Sequence, residues 1–267
     1  MGRLGNGSSS KIVGSAATAT SPTAYTWAMW YRNATAPAGV VTDTPLSFGS
    51  GADAAIGFSW DHTTVGFRQA AFHEDSASSF VAAKLTTTLV ANKWYHIAAT
   101  WDGSNLRVYL NAVLEATTAS ASIKAVGLTP NALQDSTGIG FDDGIIAEVL
   151  FWTVQLTAAE ILTIREEQAP EWIYPRSLKL YWPLCGDIAN STEPDLSGTG
   201  ITGTNTAALP AEHPLWDCRS YNYQTLLPGD FQSIAGLREA LTVVTAGTDC
   251  FQDTPVSRAL NLPRWDP

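Results

Sequence analysis

Apolar residues recur at every second position between Lys11 and Leu156, in short runs cut by turn residues. That alternation predicts strands with one face on a core and the other toward water. The clearest runs are residues 24–32, 56–60, 65–72, 80–85, 94–101, 106–110 and 145–153, at the spacing of sandwiches and barrels. Residues 94–101 lead through Asp102-Gly103-Ser104-Asn105 into 106–110, and Asp-Gly supplies the positive φ of a tight reversal. In the second arm Leu106, Val108 and Leu110 share one face while Arg107, Tyr109 and Asn111 share the other. Residues 25–31, Tyr-Thr-Trp-Ala-Met-Trp-Tyr, are apolar on both faces, which predicts a strand covered on both sides.

After Leu156 the period changes. Thr157 stands as a cap with Glu160 three residues on, and Ile161 and Ile164 recur at helical spacing, predicting one short helix that ends at Ala169-Pro170. A strand-like Leu178-Lys179-Leu180-Tyr181-Trp182 follows, then a Gly/Thr-rich run over 191–206 and an irregular apolar tail in which 231–241 is the one helical segment on offer. The chain therefore divides into a β-sandwich over 1–168 and a C-terminal extension over 169–267, of which 216–267 reads as an irregular arm packed on its own sandwich or on neighbouring subunits.

Composition suits a folded, aromatic-rich sandwich: 45% of the 267 residues are hydrophobic and 15% charged, with ten Trp, eight Tyr and nine Phe. A net charge of −10 repels phosphate backbones, so nucleic acid is excluded as a partner. No stretch approaches the ~20 apolar residues that span a bilayer, and Met1 to Ser8 lacks the apolar core of a secretory signal; the expectation is synthesis in a cytosol and no membrane. Cys185, Cys218 and Cys250 are an odd set, expected as reduced thiols.

The segment Lys93-Trp94-Tyr95-His96-Ile97-Ala98-Ala99-Thr100-Trp101-Asp102-Gly103 resembles the most recognisable stretch of the concanavalin A-like, laminin G-like superfamily, which includes pentraxins and legume lectins. Phe141-Asp142-Asp143-Gly144 running on to Trp152, followed by Leu156 to Ile161, is similar to that family's closing strand and terminal helix. The resemblance implies an all-β, antiparallel jelly-roll sandwich over about 1–168. Family members usually begin with a strand of the form met here only at Leu178 to Leu184, followed by the Asp-Leu-Ser-Gly stretch at Asp195 to Gly198. Residues 178–204 are therefore expected to stand in for missing first strands, folded back on this sandwich or added to a neighbour's sheet edge.

Glucanases of this fold carry Glu-x-Asp-x-x-Glu on one strand, since hydrolysis needs an acid and a nucleophile a few ångströms apart. The pattern is missing here, and Glu193-Pro194-Asp195 is its nearest approach. His62, His73, His96 and His213 have neither metal spacing nor a partnered nucleophile, and His96 is expected on the outer face of its strand. The resemblance implies calcium as the candidate ion, held by loop carboxylates, for which Asp142 and Asp143 are the candidates, with Asp61 and Asp102 behind them. No other cofactor is expected. Trp60, Trp101 and Trp152, with Trp94, are the candidates for stacking on a sugar, although strand tryptophans more often pack in a core.

The chain thus reads as non-enzymatic. The first expectation is a virion structural protein, a capsid decoration or tail-associated sandwich made in a host cytosol and placed on the particle surface among other virion proteins such as the major capsid protein, as a homo-oligomer. The alternative is an extracellular carbohydrate-binding module directed at cell-surface glycans or polysaccharides.

Overall fold

The computed structural model describes residues 2–33, 42–50, 53–62, 67–134, 141–166, 170–185 and 191–214. The arm over 216–267, its helical segment 231–241, Cys218 and Cys250 lie outside the described residues.

Two antiparallel sheets face each other, with strands numbered here along the chain. The first contains β1 (Gly2–Leu4), β3 (Tyr25–Arg32), β9 (Tyr95–Trp101), β10 (Asn105–Leu110), β11 (Val113–Ala119), β13 (Ile145–Trp152), β14 (Leu178–Trp182) and β17 (Leu209–Ala211). Its order is β11-β10-β9-β3-β13-β1-β17, with β14 also on β13. The second contains β2 (Lys11–Gly14), β4 (Thr42–Asp43), β5 (Leu46–Ser50), β6 (Asp53–His62), β7 (Phe67–Glu74), β8 (Phe80–Lys84), β12 (Thr129–Ala132), β15 (Thr192–Glu193) and β16 (Gly203–Thr206). Its order is β15-β16-β2-β12-β5-β6-β7-β8, with β4 on β6.

Residues 178–211 contribute strands to both sheets of this same sandwich. Leu150 pairs with Tyr181 across β13 and β14, Asn205 with Ile12 across β16 and β2, and Arg3 with Pro210 across β1 and β17. β13 bonds β1 at Ile145 and Ile146 and then β14 from Val149 onward. The change of partner falls at Glu148, whose φ of 51° marks an irregularity in the strand.

The core lies between the sheets. Tyr25, Trp27, Met29 and Tyr31 of β3 meet Phe48, Phe58 and Trp60 of the opposite sheet and Phe151 of their own, each large ring contributing roughly 2–3 kcal/mol by burial. The reverse face of β3 is covered as well, because α1 (Ala158–Arg165) lays Ile161 and Ile164 over Ala28, Ala98, Tyr109, Leu150 and Trp152. That second layer corrects the expectation that Tyr109 and His96 face water: they are 5% and 1% exposed. The two locally coded features behave as their chemistry dictates. Asp102 accepts from the Ser104 and Asn105 amides beneath Gly103 at φ +90°, and Thr157 and Glu160 form a reciprocal capping box.

Candidate functional site

A buried cluster of polar side chains sits where the end of β3 meets the start of β13. Register brings it about, since Tyr31 pairs with Ile146 and Arg32 with Ile145, so Asp142-Asp143-Gly144 must run alongside Tyr31-Arg32-Asn33. The Tyr31 hydroxyl donates to Asp142 Oδ2 at 2.7 Å, and the Gly144 amide donates to Asp142 Oδ1 at 2.6 Å. The Asn33 amide donates both to the Tyr31 oxygen, at 2.7 Å, and to Asp143 Oδ1, at 3.0 Å. Trp60 meets the Tyr31 ring edge-on with centroids 5.3 Å apart.

Gly144 is required by this packing. A Cβ there would come within 2.5 Å of the Tyr31 hydroxyl and 2.7 Å of Asp142 Oδ1. The chain start closes the same loop from outside, the Gly5 amide bonding the Gly144 carbonyl at 2.9 Å and the Gly7 amide that of Asp142 at 3.3 Å.

Burial pushes the Asp142 carboxyl up to about 8. The Tyr31 and Gly144 bonds pull against that rise, and the negative charges of Asp43 and Asp143 add to it. Tyr31 is raised as well, by burial first and then by the Asp142 charge. An acid in this state acts as a buried structural partner. Both Asp142 oxygens already accept a hydrogen bond in a place closed to solvent, and among the described residues no three His, Cys, Asp or Glu side chains group to hold a metal ion. Asp142 and Asp143, the residues expected to hold calcium, meet here in a hydrogen-bonded strand junction.

The three candidate stacking tryptophans are corrected too. Trp60, Trp101 and Trp152 are 1%, 4% and 0% exposed, and none offers a ring face to a sugar. Trp60 packs on Tyr31, Trp101 donates Nε1–H to the Ser120 carbonyl at 2.8 Å, and Trp152 donates to that of Ile173 at 2.7 Å. The structure joins Trp60 to Asp142 and Asp143 through Tyr31 and places Trp101 and Trp152 elsewhere. Tyr31 and Asn33 went unread in the sequence because their roles come from strand register, which leaves no local signal.

Other acids and histidines among the described residues hold the fold. Glu193 forms a wholly buried ion pair with Arg3. Asp102 pairs with Arg107 at 2.6 Å. Asp195 gathers its own loop, accepting from the amides of Tyr181, Ser197 and Ile201 and from the hydroxyls of Ser197 and Thr199. His73 bridges Tyr25 and Ser120 at 2.9 and 2.6 Å, and His213 meets Glu148 at 3.0 Å. The side chains of Asp61 and His62 lie outside the described residues.

The family model of the concanavalin A-like lectin/glucanases superfamily matches residues 5–162. No curated protein matches the chain. Among solved structures, a Bacteroides ovatus protein provisionally described as carbohydrate binding is similar over 80% of this chain at 17% identity and a TM-score of 0.57, and this chain spans 62% of its length. Domain 4 of the extracellular arabinanase AbnA from Geobacillus stearothermophilus, solved with arabinotriose, matches 58% of this chain and 72% of its own at 16% identity and a TM-score of 0.45. A heptameric SAP-like pentraxin from Limulus polyphemus matches 60% of this chain and 77% of its own at 16% identity and a TM-score of 0.41.

Proposed function

The chain belongs to the concanavalin A-like lectin/glucanases superfamily, and from that premise we propose that it is a non-catalytic carbohydrate-binding module. One observation carries the proposal: the acids nearest to hydrolytic chemistry are spent on structure. Glycoside hydrolysis needs two carboxyl groups about 5–9 Å apart across an accessible cleft. Asp142 is closed in against Tyr31, Glu193 is buried against Arg3, and Asp195 is tied to its own loop. What the family then supplies is recognition without reaction, and the provisional description of the Bacteroides ovatus protein supports the same ligand class.

The virion-surface role expected from the sequence draws no support from these relatives, and glycan recognition takes its place. A glycan array read on the intact chain, followed by calorimetric titration with calcium and with a chelator, tests the proposal. Saturable binding with no release of reducing sugar is the expected result. A flat array under both conditions, or sugar release at a rate that depends on the protein, would overturn it.

A further inference from the structure

We propose that Trp172 and Tyr174 form a stacking platform for a neutral glycan chain. The ligand class is taken from the function proposed above; the surface is a new one, outside the strand junction. The 3₁₀ turn Pro170–Trp172 and the residues after it leave the Trp172 side chain 68% and the Tyr174 side chain 50% exposed, while Ile173 between them packs inward against the layer beneath α1. Two exposed aromatic residues flanking one half-buried residue are a costly use of apolar surface unless something covers them.

The turn is held in place. Trp152 donates from below to the Ile173 carbonyl at 2.7 Å, the Ile173 amide bonds Pro170 O at 3.0 Å, and the Ser177 and Leu178 amides both bond Tyr174 O, at 2.8 and 3.0 Å. Tyr174 itself sits at φ +47°, a conformation a bulky residue adopts only when its surroundings impose it. Its hydroxyl faces Glu160, the carboxylate that also caps α1, and the backbone bonds to Tyr174 O fix the turn before any ligand arrives. Pre-ordering of this kind removes much of the entropy cost of binding.

The chemistry favours a sugar. Ring faces accept the apolar C–H face of a pyranose or furanose, and the Glu160 carboxylate facing Tyr174 accepts from the sugar's hydroxyls. That carboxylate, on a chain of net charge −10, disfavours uronic-acid polymers, which makes the ligand a neutral glycan.

Affinity electrophoresis of the intact chain through xylan, arabinan, β-glucan and dextran, with polygalacturonate as the acidic counterpart, tests this. The Trp172→Ala and Tyr174→Ala variants should keep the wild-type circular dichroism, lose at least tenfold in affinity for a neutral polysaccharide that retards the wild type, and leave polygalacturonate without effect. Tyr174→Phe, which keeps the ring and loses the hydroxyl that faces Glu160, should fall between. Wild-type retardation in both alanine variants would overturn the platform while leaving the glycan-binding function standing. An unretarded wild type with a flat array would overturn both. A variant whose only change is in sedimentation would overturn the platform and mark a protein contact.

Discussion

Tyr31 donates its hydroxyl to Asp142 Oδ2 across 2.7 Å in a place that water does not reach, and this single bond fastens the end of one central strand to the loop that starts its neighbour. Its pH behaviour follows from the acid. An unfolded aspartate releases its proton near 4, whereas Asp142 in the fold holds it to about 8. The native chain carries the extra proton between those values, so this group's contribution to stability falls as pH rises through the window.

Asp142→Asn should make that visible. The amide oxygen keeps the Gly144 bond and the amide N–H can donate to Tyr31, so the phenol's own proton loses its acceptor, at about 1 kcal/mol. Urea midpoints of the variant should lie below wild type at pH 6, stay nearly level to pH 9, and cross the falling wild-type curve on the way. A wild-type midpoint that does not fall between pH 6 and 9 would show that Asp142 is ionised throughout.

Two buried histidines act in the opposite direction. Burial lowers His73 to about 4, and burial together with Arg165 lowers His96 to about 3. An unfolded histidine takes up its proton near 6.5, so below that value the unfolded chain binds more protons and stability falls as pH drops toward 4. Asp142, Glu171 and Glu193, whose carboxyls burial raises, act in the opposite direction, so the histidine contribution is read by difference: His96→Gln should shallow the acid limb relative to wild type. An acid limb unchanged in His96→Gln would contradict the assignment.

The features legible in the sequence are those decided within five residues. Asp102-Gly103 makes its hairpin and Thr157 with Glu160 makes its cap because the partners are local. The two-sheet sandwich follows from period-2 alternation in the long strands. β1, β16 and β17 are three or four residues each, too short to carry a period, and the pairings that tie them to the far end of the chain are long-range, as Asn205 with Ile12 and Arg3 with Pro210. Trp101 and Trp152 show the same limit: alternation assigns each to a face, but α1 and the opposite sheet cover both faces, so neither is open to a ligand.

The Arg3–Glu193 pair tests how firmly those distant strands join. Both side chains are fully buried, and Arg3 also donates to Ser191 at 2.6 Å. Removing one partner strands a charge, and Arg3→Ala or Glu193→Ala should each cost about 3–5 kcal/mol. The double variant Arg3→Met, Glu193→Leu should recover most of that loss in chemical denaturation. A double variant as unstable as either single one would mean that volume and strand pairing, and not the stranded charge, set the cost.

Asp195 offers the sharpest test of the 178–211 segment as part of the sandwich. Burial alone would raise its pKa, but the bonds from Tyr181, Ser197 and Thr199 outweigh that and hold the carboxyl below the usual range. Its support is thus present above about pH 4 and is lost as pH falls through the folded value. Asp195→Ala leaves the Tyr181, Ser197 and Ile201 amides and two hydroxyls to find other partners, at about 2–3 kcal/mol for a carboxylate with several donors. Because Tyr181 lies on β14, which bonds β13 in the first sheet, and Ile201 leads into β16, which bonds β2 in the second, the loss should spread to both sheets. Hydrogen exchange should quicken at Leu150 and at Ile12 together in Asp195→Ala. Quickening confined to residues 195–201 would show the loop to be an ornament on a sandwich that stands without it.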